Sequence, residues 1–156
     1  MNKLLYDIKK CLGCKSCEIV CAVVHSQSKN LLKALKEEIL SLPRKKVYRT
    51  KDKNFPVSCR HCQEHPCVDA CMAGALTYDG HSQTVLHEES RCVGCWMCVM
   101  VCPYGAIRPN LKTKIPIRCD KCKDEVGPAC VKACLTGAII LQESDEKVVH
   151  SRDRAK

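Results

Sequence analysis

The chain has 156 residues, room for one compact domain or two small ones, and its 26 Lys and Arg outnumber 17 Asp and Glu for a formal charge of +9. Only six residues are aromatic, and with the 16 cysteines set aside roughly a third of the chain is apolar, a thin core for this length. No stretch approaches the roughly 20 apolar residues that cross a bilayer, and residues 1–10 carry Lys3, Lys9 and Lys10 rather than the apolar run of a signal peptide, which argues against direct membrane insertion, export and a disulfide scaffold.

In chain order, the first feature is Cys11, Cys14, Cys17 and Cys21, spaced C-x2-C-x2-C-x3-C. A basic insertion follows, residues 22–58, with nine Lys or Arg against three Asp or Glu. Within it Leu31, Leu32, Leu35, Ile39 and Leu42 fall on one helical face and Pro43 ends the pattern. This predicts an amphipathic helix covering the rest of the body, with a partner surface as its other use. Arg44 to Arg49 reads as a short strand. The second quartet, Cys59, Cys62, Cys67 and Cys71, is spaced C-x2-C-x4-C-x3-C. Thr77–Tyr78 and Thr84–Leu86 around Asp79–Gly80 predict a β-hairpin. The third quartet, Cys92, Cys95, Cys98 and Cys102, repeats the first spacing and ends in Pro103. The fourth, Cys119, Cys122, Cys130 and Cys134, is spaced C-x2-C-x7-C-x3-C. Ile139–Leu141, a polar turn and Val148–Val149 predict a second hairpin, and the charged tail 151–156 is expected to fray. The segments after Cys71, Cys102 and Cys134 share C-x-x-G-A-[LI], an internal repeat that Cys21 lacks because it runs into Ala22-Val23-Val24-His25.

The third quartet is the bacterial ferredoxin run, whose thiolates hold cubane iron–sulfur clusters. A cubane offers four iron corners, each wanting one thiolate. A curled C-x2-C-x2-C loop supplies three, and the fourth comes from another run. The third and fourth cysteines of every quartet stand at i and i+4, and one such helical step rises roughly 6 Å, enough to tie two clusters together within electron-tunnelling reach. Sixteen cysteines at four per cluster give four [4Fe–4S] clusters with none left over, hence no open iron corner for substrate chemistry. Zinc, which takes two separated C-x2-C pairs, suits a third cysteine two residues further on poorly; a zinc-bound interaction module stands as the alternative of another class. His61 and His65 flank Cys62 beside a complete quartet, so they are expected near a cluster rather than on it, and Trp96 is expected to shield a cube from water. Each oxidised cube with four thiolates carries about −2, so four of them offset nearly all of the +9. The basic composition then balances cofactors, and nucleic acid is not expected as a partner. No G-x-G-x-x-G follows a strand, so no nicotinamide or flavin site is visible.

C-R-H-C-x4-C-x3-C at Cys59–Cys71, C-V-G-C-W-M-C-V-M-V-C-P at Cys92–Pro103 and C-D-K-C at Cys119–Cys122 resemble the four-cluster iron–sulfur subunits of molybdopterin oxidoreductases and related complexes. These include the small subunits of dimethyl sulfoxide reductase, formate dehydrogenase and formate hydrogenlyase. The resemblance runs from about Leu5 to Leu141. Within that group the third-motif stretch and the short chain are most similar to the electron-transfer subunits of nickel carbon monoxide dehydrogenases. The resemblance implies nested ligation: Cys11, Cys14, Cys17 and Cys134 on cluster 1; Cys119, Cys122, Cys130 and Cys21 on cluster 2; Cys59, Cys62, Cys67 and Cys102 on cluster 3; Cys92, Cys95, Cys98 and Cys71 on cluster 4. Some relatives replace a cysteine of the third motif and carry a [3Fe–4S] centre there; this chain keeps Cys92, Cys95 and Cys98. Met72 and Leu135 stand where relatives often have proline.

The expected fold is α+β, two bacterial-ferredoxin-like modules of short helices and hairpins. Residues 1–21 with 108–150 form a discontinuous outer module, 22–58 a basic helical insertion and 59–107 an inner module. The expected function is a cytoplasmic electron carrier with no catalytic site of its own, taking electrons from carbon monoxide dehydrogenase to a hydrogenase or a flavin NAD(P)H oxidoreductase. A formate dehydrogenase or hydrogenase complex is the alternative setting. The basic insertion, through Arg44, Lys45 and Lys46, is expected to steer docking onto an acidic partner.

Overall fold

A computed structural model describes residues 3–142 and 148–149. The turn predicted after Leu141 and the tail 151–156 lie outside the described residues. In chain order the elements are β1 (Lys3–Tyr6), α1 (Ser16–Val24), α2 (Leu31–Ala34), β2 (Lys45–Arg49), β3 (Asn54–Ser58), α3 (Pro66–Asp69), β4 (Leu76–Asp79), β5 (Thr84–His87), α4 (Met97–Met100), α5 (Ala129–Lys132), β6 (Ile139–Gln142) and β7 (Val148–Val149). Short 3₁₀ turns at Ile8–Lys10 and Glu89–Arg91 lead into Cys11 and Cys92. This is a mixed α+β fold of small antiparallel sheets and short helices, as a ferredoxin-like iron–sulfur domain has.

The two predicted hairpins are present. β4 pairs with β5, setting Leu76 against His87 and Asp79 against Thr84. β6 pairs with β7 through Leu141–Val149 and Gln142–Val148. Each hairpin follows a repeated Gly-Ala step. Gly74 and Gly137 take φ of 59° and 66°, a left-handed turn that lets the chain leave a helix and enter a strand. The residues that follow, Ala75–Leu76 and Ala138–Ile139, are each 2–3% exposed.

The strand β1 has no counterpart in the sequence reading. It pairs antiparallel with β6, Leu4 against Leu141 and Tyr6 against Ile139, giving the sheet order β1–β6–β7. Residues near the start of the chain are thereby stitched to residues more than 130 positions later. Two apolar cores result. One joins Cys17, Val47, Cys130, Val131, Ile139 and Leu141; the other joins Cys67, Leu76, Val85, Cys98 and Ile107. Cysteines sit inside both, so neither is closed by aliphatic packing alone.

The insertion differs from its predicted form. Its helix α2 is one turn of four residues, capped by the Asn30 side chain, which accepts from the N–H groups of Leu32 and Lys33. Leu31, Leu32, Leu35, Ile39, Leu40 and Leu42 are exposed. An amphipathic pattern gains from helicity only where a surface receives its apolar face, and here none of the body does. Glu37 instead folds back onto Ser28, accepting from its N–H and hydroxyl. The strand predicted from Arg44 is β2, and it pairs with β3, Lys45 against Ser58 and Tyr48 against Phe55.

Candidate metal centres

The loops of the first and third quartets are built alike. Gly13 and Gly94 have φ of 70° and 68°, and the residues after the second cysteines, Lys15 and Trp96, have φ of 61° and 64°. Two left-handed steps in four residues curl the loop so that three thiols face one space. A Cβ on Gly13 would stand 2.6 Å from Asn54 Oδ1, and one on Gly94 would stand 2.7 Å from the Lys114 carbonyl. At Gly94 the neighbour is backbone and leaves room for glycine only; at Gly13 it is the Asn54 side-chain amide, which a Cβ would have to displace.

Each loop encloses a small apolar cavity. The first is lined by Cys11, Cys14 and Cys17 and also by Cys134, with Val47, Pro56 and Ile139 around them. The second is lined by Cys92, Cys95 and Cys98 and also by Cys71, with Leu76, Trp96 and Pro116. In both, the fourth thiol arrives from a distant quartet. Trp96 stands in the wall of the second cavity, where its sequence position put it.

The other two quartets group through their mutual electrostatics. Burial raises the Cys67 thiol to about 11, and Cys59 and Cys102 add to that rise. Burial, Cys59 and Cys102 also push Cys62 up. Burial lifts Cys119 to about 12 and Cys122 to about 11, with Cys130 and Cys21 raising each further. These thiols crowd one another in the sets Cys59, Cys62, Cys67, Cys102 and Cys119, Cys122, Cys130, Cys21. Crowded, desolvated thiols resist ionisation unless a cation compensates them. The helical steps connect the sets: Cys17 and Cys21 share α1, and Cys130 lies in α5 with Cys134 just beyond it.

Several backbone amides point at sulfur. The Arg44 N–H donates to Cys21 Sγ at 3.2 Å, Ala106 N–H to Cys102 Sγ at 3.4 Å and Lys121 N–H to Cys119 Sγ at 3.4 Å. Such bonds stabilise thiolate and tune cluster potential. Of the sixteen cysteines only Cys14 and Cys95 are exposed.

One group beside the cysteines escaped the sequence reading. His25 Nε2 lies 3.1 Å from Asp120 Oδ1, and Arg44 donates to Asp120 Oδ2. His25 Nδ1 contacts the Cys21 carbonyl at 2.7 Å. Burial works against the His25 charge, yet Asp120 and Cys21 raise its pKa to about 9. Burial also opposes the Asp120 charge, and His25 and Arg44 overcome it and hold the carboxyl well below the usual range. Ligand atoms of His25, Asp120 and Cys122 lie within 4.8 Å of one another. That is the spacing of ligands round a single ion, whereas a cubane holds its thiolates apart on separate iron corners. With Asp120 paired to Arg44, the group is better described as a latch between the insertion and the fourth quartet. His25 stands four residues after Cys21 and Asp120 directly follows Cys119, the only sequence cues to it. Of the three residues expected to steer docking, Arg44 is paired to Asp120 and Lys45 is buried, whereas Lys33, Lys36, Arg49, Lys51 and Lys53 are exposed.

The flanking histidines divide. His61 is 6% exposed, and its Nδ1 accepts from the Val85 N–H at 3.1 Å. Burial, with Lys121 and Arg118 nearby, lowers its pKa to about 3, so it is neutral. His65 packs on Tyr78, ring centres 4.9 Å apart.

The donor set fits an anionic iron–sulfur cofactor. Lys45 Nζ and two guanidinium nitrogens of Arg118 are buried with no hydrogen-bond partner. A buried ammonium or guanidinium is costly unless an anion stands near it. Neutral thiols do not supply one; cluster-bound thiolates do.

Residues 50–144 match the 4Fe-4S dicluster domain. The chain belongs to the 4Fe-4S dicluster family. Relatives of this dicluster protein include an iron-sulfur protein of Rhodospirillum rubrum, 38% identical over 92% of this chain and 84% of the relative. The electron transport protein YsaA of Escherichia coli is 35% identical over 99% of this chain and 98% of its own length. The electron transport protein HydN of Escherichia coli is 35% identical over 90% of this chain and 87% of its own length. Among the described residues of the dicluster protein, no helix is long and apolar enough to cross a membrane.

Proposed function

We propose that this chain is an electron carrier holding four [4Fe–4S] clusters in single file, with no catalytic site of its own. It is an electron-transport protein, as two of its relatives' names describe them, and serves an oxidoreductase. When bound, each cubane supplies a one-electron couple. The observation that carries the four-cluster reading is the pair of cavities ringed by four cysteines from two distant quartets, Cys134 with the first and Cys71 with the third. The thiol groupings of Cys59, Cys62, Cys67, Cys102 and of Cys119, Cys122, Cys130, Cys21 support the remaining two ligand sets. Nested ligation then divides the chain into an outer module, 1–21 with 108–150, and an inner module, 59–107, with 22–58 inserted.

Cysteine burial supports an order along the file. Cys21, Cys119, Cys122 and Cys130 are all buried, whereas the two exposed cysteines belong to the first and third loops. Exposed Leu12 lies in the first loop and exposed Leu135 directly follows Cys134; exposed Val93 lies in the third loop and exposed Met72 directly follows Cys71. Clusters 1 and 4 would be the ends, each reached through a small apolar rim where a partner excludes water.

The preferred partners are carbon monoxide dehydrogenase as donor and a hydrogenase or flavin NAD(P)H oxidoreductase as acceptor, in the cytoplasm. The third-motif sequence Cys92–Pro103 favours this over a formate dehydrogenase or hydrogenase complex. Anaerobic mixing of the reconstituted protein with catalytic carbon monoxide dehydrogenase and CO is expected to bleach the visible cluster band. Bleaching only with formate and formate dehydrogenase would transfer the protein to the formate setting. A colourless, zinc-containing protein would end the cluster reading altogether.

A further inference from the structure

Two basic side chains are buried among the described residues, Lys45 at 2% and Arg118 at 4% exposure. Lys45 opens β2, and its Nζ lies 5.0 Å above the Tyr6 ring. The Nζ makes no hydrogen bond to any described residue. Val47, two residues on along the same buried face of β2, packs with Cys17 and Cys130, and besides Tyr6 the groups that act most strongly on Lys45 are the thiols of Cys130, Cys17 and Cys119. Cys17 belongs to the first proposed ligand set, and Cys119 and Cys130 to the second. One ammonium therefore faces both.

We propose that Lys45 is an internal counter-charge shared by clusters 1 and 2, holding both at a higher reduction potential than their thiolate ligands alone would give. The proposal rests on the four-cluster reading. On reduction, one electron from a redox partner enters a cube, no bond breaks, and the cube becomes more negative by one. A fixed positive charge nearby favours that product, and in a desolvated setting the attraction is stronger than in water and little screened by salt. Surface lysines are screened, so a buried cation is the device suited to a potential that does not drift with ionic strength. Its place at the junction of two sites makes the two potentials move together.

The test is an EPR-monitored redox titration of the full holo-protein, with iron counted in the same samples. Lys45→Met keeps the unbranched shape of the side chain, one atom shorter, and removes its charge. Two of four midpoints are expected to fall, by about tenfold in the one-electron equilibrium, or about 59 mV, at both low and high salt. The other two are expected to stay. Unmoved midpoints with four clusters present would overturn the proposal while leaving the cluster reading intact. If Lys45→Met loses the outer clusters, Lys45→Arg decides. Clusters retained with arginine support a need for charge; clusters lost with both variants overturn it in favour of packing. A wild-type protein lacking the outer clusters would instead overturn the four-cluster reading, and this inference with it.

Discussion

Val85 is 1% exposed, and its backbone serves two buried side chains at once, donating to His61 and accepting from Arg118. Val85→Ala keeps both bonds and removes only packing against the core that contains Cys67 and Cys98. The expected cost is about 1–2 kcal/mol, read as a lower temperature for bleaching of the visible band with the iron count unchanged. Asp120→Asn acts differently. It leaves Arg44 and His25 without their shared anion, at about 1–3 kcal/mol for partly buried charged hydrogen bonds. Because the Arg44 N–H also reaches Cys21 Sγ, iron release to a chelator is expected to quicken in this variant. Spacing made every cysteine visible, because a cluster demands a fixed set of short loops. The contacts of His25, Asp120 and Lys45 were not visible, since nothing in their spacing says what they meet, and Lys45 read only as a surface docking residue; only the folded insertion brings them to the thiols.

At the scale of elements, the hairpins and the i, i+4 cysteine steps were legible because both are local. The Gly-Ala repeat supplies the turn, and β-branched residues supply the strand. The insertion was misread for the complementary reason. Its leucine pattern is genuine, but a helical face is worth little without a surface to receive it, and that surface is not a local property. Its exposed leucines and lysines lie on the outside, with Arg49, Lys51 and Lys53 at the end of the β2–β3 hairpin. If this edge steers a partner, replacing Arg49, Lys51 and Lys53 by glutamine should slow electron transfer at low ionic strength and converge with wild type at high ionic strength. Stopped-flow bleaching against salt concentration measures it, and equal rates at every salt would remove the hairpin from docking.

For the whole molecule, two cores that each contain cysteines imply that metal and fold are one transition. Removing the clusters by acid and chelator is expected to leave a largely unfolded chain, as in other metal-nucleated small domains, seen as loss of helical circular dichroism and of protected amides. Retained compact structure would mean that the aliphatic cores suffice. The +9 charge of the chain points the same way. Without the about −8 that the four proposed clusters would carry it repels itself, and Lys45 and Arg118 are left buried without counter-ions. The overall class was readable from cysteine counting. The closing contact, β1 on β6, was not, because Lys3–Tyr6 is too short to announce a strand and its partner lies at the far end of the sequence.

That contact has a consequence for biosynthesis. A ribosome delivers Cys11, Cys14 and Cys17 long before Cys134, and β1 long before β6. On the proposed nested ligation, the inner module, from Cys59 to Cys102 with its own hairpin, would leave the exit tunnel while the outer one is still incomplete. The nascent chain would thus load its middle first and hold its first cysteine loop open, in need of shelter from oxygen and stray metal, until translation is nearly done. Chains truncated near residue 115 and released from the ribosome should carry about two clusters, and only those extended past residue 142 should carry all four.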